Sequence, residues 1–231
     1  MRNQQTAKFT PGFLLSMILF LTAAGNLAAQ NVRFGLFADP AVTWFASDTK
    51  STVNDGTRAG FGFGLAFNRY FTEKYSFSSG ISIQNVGGRL YNTDSIKMTF
   101  NNLIVDVAPE EPVVYKIQYI NIPVGLKFET NQIGYVTGFA DVGIDAKFLI
   151  GGKADIPSAG IEKESAKKEL NPFNLSYHIM AGIEYGLGGT TSMVFGLGFE
   201  HCFIDTTKDI NPQPEDKILS NIIKLRIGVK F

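Results

Sequence analysis

Apolar residues recur at every second position along most of this chain, which is the mark of strands that present one greasy face. Residues 218–231 show it most clearly. Ile223, Leu225, Ile227, Val229 and Phe231 share one face, and Lys224, Arg226, Gly228 and Lys230 share the other. Residues 190–205 set Met193, Phe195, Leu197 and Phe199 against Gly196, Gly198, Glu200 and Cys202. Residues 171–187 set Phe173, Leu175, Tyr177, Ile179, Ile183 and Tyr185 against Asn174, Ser176, His178, Gly182 and Glu184. Earlier segments agree. In 114–129, Ile120, Ile122, Val124, Leu126 and Phe128 oppose Tyr119, Asn121, Gly125, Lys127 and Glu129. In 60–71, Phe61, Phe63, Leu65, Phe67 and Phe71 oppose Gly62, Gly64, Ala66 and Asn68. In 32–45, Val32, Phe34, Leu36, Val42 and Trp44 oppose Arg33, Gly35, Asp39 and Thr43.

Two segments are less regular. Residues 75–91 begin with Tyr75, Phe77, Ile81 and Ile83 on one face, then change parity at Val86 and Leu90, which predicts a bulge near Asn85–Gly88. In residues 133–150, Val136, Ala140, Val142, Ile144 and Phe148 oppose Asp141, Asp145 and Lys147. Tyr135 and Phe139 break that pattern and leave the facing of this strand open.

The pattern thus predicts about eight strands, and their connections alternate in length. Thr72-Glu73-Lys74, Thr130-Asn131-Gln132 and Gly188-Gly189 are tight turns, whereas residues 46–59, 92–113, 151–170 and 206–217 are long and polar. Short turns on one side and long loops on the other are the layout of an outer-membrane barrel, with the turns periplasmic and the loops outside. The charged run 161–170 is expected as a short loop helix or a solvated segment. Phe71, Tyr75, Phe128, Tyr185 and Phe231 fall at turn ends, and Trp44, Phe61, Phe173 and Phe203 at loop ends. That is where two interfacial girdles belong.

Period alone does not say which face is inner, because a soluble ligand-binding barrel turns its greasy face inward. The other face decides it. Lys127, Glu129, Glu184, Glu200, Lys224 and Arg226 among glycines make a poor apolar pocket and a sensible polar lumen. The predicted fold is therefore all-β: an antiparallel up-and-down transmembrane β-barrel in the outer membrane.

Composition adds a leader. Arg2 and Lys8 precede the apolar run Phe13 to Leu21, and small residues follow up to Leu27-Ala28-Ala29. The run is about half of the roughly 20 residues a spanning helix needs. Residues 1–29 are thus expected to be a cleavable signal peptide, and residues 30–231 the barrel domain. Beyond residue 30 the chain carries 19 basic against 21 acidic side chains, which disfavours a nucleic-acid partner. Cys202 is the only cysteine in the sequence, so no internal disulfide is possible.

Candidate chemistry is sparse. A hairpin that pairs Leu187 with Thr191 would set His178 across from Glu200 and Ser176 across from Cys202. Ser, His and Glu are the parts of a hydrolase triad. A lipid hydrolase must reach the bilayer, however, and these residues are predicted to face the lumen. No His-rich or Cys-rich cluster suggests a metal, and the glycine runs lack the helix and lysine of a phosphate loop. No catalytic, cofactor-binding or metal-binding residue is assigned. The lumen is expected to hold a charge network of Lys127, Asp141, Asp145, Lys147, Glu184, Glu200, Lys224 and Arg226.

Three stretches resemble the PorT-like outer-membrane β-barrel proteins of gram-negative bacteria. They are Tyr119 to Phe128 (YINIPVGLKF), Asn171 to Asp209 with its NPF opening, and Leu225 to Phe231 (LRIGVKF). The resemblance implies the fold and the outer-membrane location. It also offers a link to secretion, which is associated with the founding member. Leu225, Ile227, Val229 and Phe231 further fit the alternating, aromatic-ended last strand that barrel-assembly machinery recognises. The leading functional expectation is a non-enzymatic scaffold with outer-membrane lipid around it and protein partners at its loops. A small-solute channel is the alternative, and a lipid-modifying enzyme comes third.

Overall fold

The computed structural model describes residues 31–100, 104–208 and 216–231. Residues 1–29, expected as a signal peptide, lie outside them. The strands are β1 (Val32–Ser47), β2 (Thr52–Asn54), β3 (Arg58–Tyr70), β4 (Tyr75–Asn92), β5 (Ile96–Thr99), β6 (Ile104–Val107), β7 (Val113–Glu129), β8 (Val136–Ile156), β9 (Ile161–Ser165), β10 (Phe173–Gly188), β11 (Thr191–Cys202) and β12 (Ile218–Lys230). Eight of the strands among the described residues close into a barrel in the order β1-β3-β4-β7-β8-β10-β11-β12, and β12 pairs back onto β1. The pairing is antiparallel, so the wall satisfies its backbone strand to strand, as a span through lipid requires.

The alternating face turned out from the barrel is the greasy one. Leu197 is 62% and Leu65 53% exposed, whereas Glu200 and Lys147 are fully buried. A barrel in water would show the reverse. Aromatic pairs mark both edges of the apolar band: Tyr75–Phe128 at 5.6 Å at the turn end, and Phe148–Phe173 at 5.3 Å at the loop end. The Gly188-Gly189 turn works because both glycines take positive φ, at 124° and 59°.

Three expectations need correction or completion. No bulge interrupts β4. It keeps one register with β3 from Phe61↔Asn85 to Tyr70↔Ser76, and one register with β7 at both Tyr75↔Phe128 and Leu90↔Val113. Its even-numbered residues face inward throughout. Ser76, Ser78 and Ser82 meet a polar lumen, while Val86 and Leu90 meet an apolar core higher up. The apparent parity change is a change of surroundings. The register shifts lie elsewhere, at Gln118/Tyr119 between β7 and β8, at Ala154/Ile156 between β8 and β9, and at Gly186/Gly188 in the β10–β11 hairpin.

The facing of β8 is now settled. Val142, Ile144 and Phe148 point to the membrane, and Asp145 and Lys147 are buried inside. Phe139 also points inward, against Met180 and Val194, because its ring roofs the Lys127 ammonium at 4.5 Å. Tyr135 lies outside the strand and packs on Tyr185 at 5.9 Å.

The long connections are built rather than featureless. A membrane strand needs about 9–11 residues, and β4, β7 and β8 run to 18, 17 and 21. Their surplus projects past the bilayer. The run 161–170 is part strand and part short helix: it forms β9 against β8 and then a 3-10 helix at Lys167–Glu169. Glu169 is buried there, and its carboxylate accepts the Thr99 backbone N–H at 2.6 Å.

Candidate functional site: the closed lumen

The lower lumen is lined by ionisable side chains that the strand alternation aims inward from every quarter of the wall. They are joined across the barrel. Lys127 of β7 donates to Glu184 of β10 and lies 3.2 Å from Glu129. Lys230 of β12 joins the same pair of carboxylates, reaching Glu184 directly and Glu129 at 3.3 Å. One layer higher, Glu200 of β11 binds Lys147 and, at 2.9 Å, Lys224. The Ser176 hydroxyl donates to Glu200 at 2.9 Å and the Gln84 amide donates to it at 3.1 Å, so the carboxylate is saturated. Arg226 forks onto Asp39 with Nε at 3.0 Å and Nη2 at 2.7 Å. Its guanidinium stacks 3.8 Å from the Phe37 ring centroid. Buried charges persist only when paired and fully hydrogen-bonded, and this arrangement meets both conditions.

All eight residues read as a lumen network point into the barrel, and Lys127, Lys147 and Lys224 pair with Glu184 and Glu200 from within that set. Arg226 pairs with Asp39, and Asp141 and Asp145 engage His178 at 3.4 and 2.8 Å. Asp39, Glu129, Lys230 and His178 are members that the sequence reading left out of the network. Each lies on the inward face of its strand, so alternation shows the facing. The pairing was hidden because Lys127 and Glu184 sit on strands that are not neighbours.

The register of the last hairpin sets His178 opposite Glu200 and Ser176 opposite Cys202, with the turn itself closing one residue later at Gly188↔Thr191. These residues do not assemble into a nucleophile and its base. Ser176 donates to Glu200, and both ring nitrogens of His178 engage aspartates of β8. His201 points outward and bonds Asn221 at 2.7 Å beside Tyr177, an interfacial position. Among the described residues, no group of three His, Cys, Asp or Glu side chains is arranged to hold a metal ion.

Above the charges the lumen becomes apolar. Phe45, Val86, Leu90, Val113, Ile117, Tyr119, Ile156, Ile218 and Ile222 converge from the strand tops. Met98 and Phe100 from the β5–β6 segment and Leu170 from the segment after β9 drop onto them, all at most 1% exposed. A cavity of about 70 Å³ remains among the charged side chains, lined by Asp39, Gln84, Asn121, Asp145, His178 and Lys224 among others. One water needs about 10–15 Å³ of such space, so the cavity has room for a few ordered waters.

A closed antiparallel barrel with an apolar exterior and a charged, filled interior defines an integral outer-membrane β-barrel protein. A family model described as the outer membrane protein beta-barrel domain matches residues 19–208, and the chain belongs to that family. Solved structures of similar architecture include three outer-membrane proteins. Neisserial surface protein A is 14% identical, with a TM-score of 0.44 over 85% of this chain and 95% of that one. Ail, the attachment invasion locus protein of Yersinia pestis, solved with the heparin analogue sucrose octasulfate, is 14% identical, with a TM-score of 0.43 over 87% and 99%. OprG from Pseudomonas aeruginosa is 12% identical, with a TM-score of 0.47 over 87% and 97%. No curated protein matches the sequence.

Proposed function

We propose that this outer-membrane barrel is a non-enzymatic scaffold that presents its structured loops to protein partners and does not conduct solutes. One observation carries the reading: the lumen is closed twice, by paired charges below and by an apolar core above. An eight-stranded barrel leaves a space that side chains can fill, and here they do. The loop segments contribute Met98, Phe100 and Leu170 to that core, so the loop end is a platform with its own packing. Ser176 is committed to Glu200 and His178 to two aspartates, which supports leaving catalysis aside. Insertion would use the barrel-assembly machinery through Leu225, Ile227 and Val229 on the outward face of β12 and the exposed Phe231 that follows it. The resemblance to PorT-like proteins suggests secretion as the process served.

The test is conductance. Purified monomer in planar bilayers should give little or no stable current. Large, long-lived steps would replace this reading with the channel. Crosslinking at loop positions in intact cells should then capture defined protein neighbours.

A further inference from the structure

Outside the barrel, at the loop-side edge of the apolar band, the β3–β4–β7–β8 wall carries a groove of about 480 Å³. Part of its floor is bare backbone: Gly151 of β8 lines it, and Gly87 of β4 lies across the ladder from the lining residue Lys116. A Cβ on Gly87 would lie 2.1 Å from the Tyr115 carbonyl and 3.0 Å from the Arg58 guanidinium, so the arginine lies directly over bare backbone. Arg58 is held there by donating to the Tyr115 carbonyl at 3.2 Å. The β3–β4 ladder stops at Phe61↔Asn85, and the Thr43 hydroxyl serves the freed Gly87 backbone, accepting its N–H at 3.1 Å and donating to its C=O at 2.6 Å.

The charge on this groove is unexpected for a wall chosen by stability alone. Lys116 of β7 stands directly opposite Lys153 of β8. Like charges placed opposite across a ladder repel. Asp155 relieves only one of them, through its ion pair with Lys116. Lys153 is exposed and forms no ion pair with a carboxylate among the described residues. Arg58, Lys116 and Lys153 against Asp155 leave the groove a net positive charge.

Depth identifies the occupant. On the same outward face, two residues toward the membrane from Gln118, Ile120 pairs with Phe148, and Phe61 on β3 is 46% exposed beside them. Lys116 is thus four residues beyond the apolar band, about 13 Å along a strand, or roughly 10 Å in depth at the tilt of barrel strands. That is the level of lipid phosphates on the loop side. We propose that this groove binds the phosphorylated headgroup of an outer-leaflet glycolipid, with Arg58, Lys116 and Lys153 on the phosphate. The Asn85 and Gln118 amides, themselves linked at 3.0 Å, face the sugar, and Phe61 lies along the first acyl carbons. Arginine and lysine over phosphate form charge-assisted hydrogen bonds, which strengthen where lipid excludes water.

The test titrates purified, heat-modifiable protein in detergent with diphosphorylated lipid A, read by native mass spectrometry. The variant Arg58→Gln/Lys116→Gln/Lys153→Gln should bind about tenfold more weakly, equivalent to about 1.4 kcal/mol. Lys153→Glu alone, at an exposed position that cannot endanger folding, should weaken binding in the same direction. Arg69→Gln/Lys74→Gln, at the turn end of the same wall, should leave it unchanged. A dephosphorylated glycolipid should bind poorly, and inorganic phosphate should not displace lipid A. Equal binding by the groove variants, equal loss in the turn-end variant, equal binding of the dephosphorylated lipid, or displacement by free phosphate would each overturn the proposal.

Discussion

The Lys224 ammonium lies 2.9 Å from a Glu200 carboxylate oxygen, and the other oxygen of that carboxylate holds Lys147. Glu200 is 0% exposed, so one acid neutralises two lysines in a space that water does not reach freely. Removing one partner of a buried ion pair typically costs about 3–5 kcal/mol, because a charge is left uncompensated. Glu200→Gln should therefore destabilise the barrel by about that amount in urea unfolding from vesicles. Glu200→Leu combined with Lys147→Met and Lys224→Met should recover much of the loss. A single variant as stable as wild type would show that water, not pairing, solvates this layer.

The orientation of the wall gives a second test. Leu197 faces lipid and Gly198 faces Met180 and Lys224. Leu197→Arg should cost about 2–4 kcal/mol near the bilayer midplane. Gly198→Ser should cost much less, since the nearest atom its Cβ would meet is the mobile methyl end of Met180, at 2.9 Å. Unfolding free energies in the reverse order would mean the faces are inverted.

The seam between the last and first strands closes at Phe34 and Phe231. Their backbones exchange two hydrogen bonds, at 2.8 and 3.0 Å, and the Phe231 side chain is half exposed to lipid. Phe231→Ala keeps the backbone pair and removes the aromatic. Assembled, heat-modifiable protein in the outer membrane should fall, with export across the inner membrane intact. Unchanged assembly would deny the residue a role in insertion.

Above the bilayer, pH reaches a defined contact. Burial opposes ionisation of Asp155, but hydrogen bonds from Lys116 and the Lys163 backbone, with the Lys116 and Arg58 charges, hold its carboxyl below the ordinary value of 3.8. The Lys163 N–H donates to it at 2.7 Å. A carboxylate lowered on folding stabilises fully above its unfolded value, and that contribution disappears as pH falls through the folded value. Exchange protection of the Lys163 amide should hold down to about pH 5 and fail only below the normal carboxylate range. In Asp155→Asn it should be weak at every pH. Loss of protection near neutral pH in the wild type would contradict this.

Much of the architecture could be read directly from residue order. Alternation in Ile223 to Phe231 and in Met193 to Phe199 reports strand identity and facing, because period two is a local property of an extended backbone. Hairpin register was equally local: two glycines with positive φ place His178 across from Glu200. The polar lumen was legible too, since charges interleaved with the greasy face have nowhere else to go.

What only the tertiary structure decided depends on closure. Lys127 meets Glu184, and Lys230 meets both Glu129 and Glu184, across strands far apart in sequence, so no local pattern records the pairs. Phe139 looked misplaced on β8 until the lumen placed Lys127 beneath its ring. Val86 and Leu90 looked like a bulge because an inward face was assumed to stay polar. It does not, because β4, β7 and β8 outrun the bilayer and meet Met98, Phe100 and Leu170 folding back over the mouth. Alternation tells each side chain which way to point; only the closed barrel determines what it finds there.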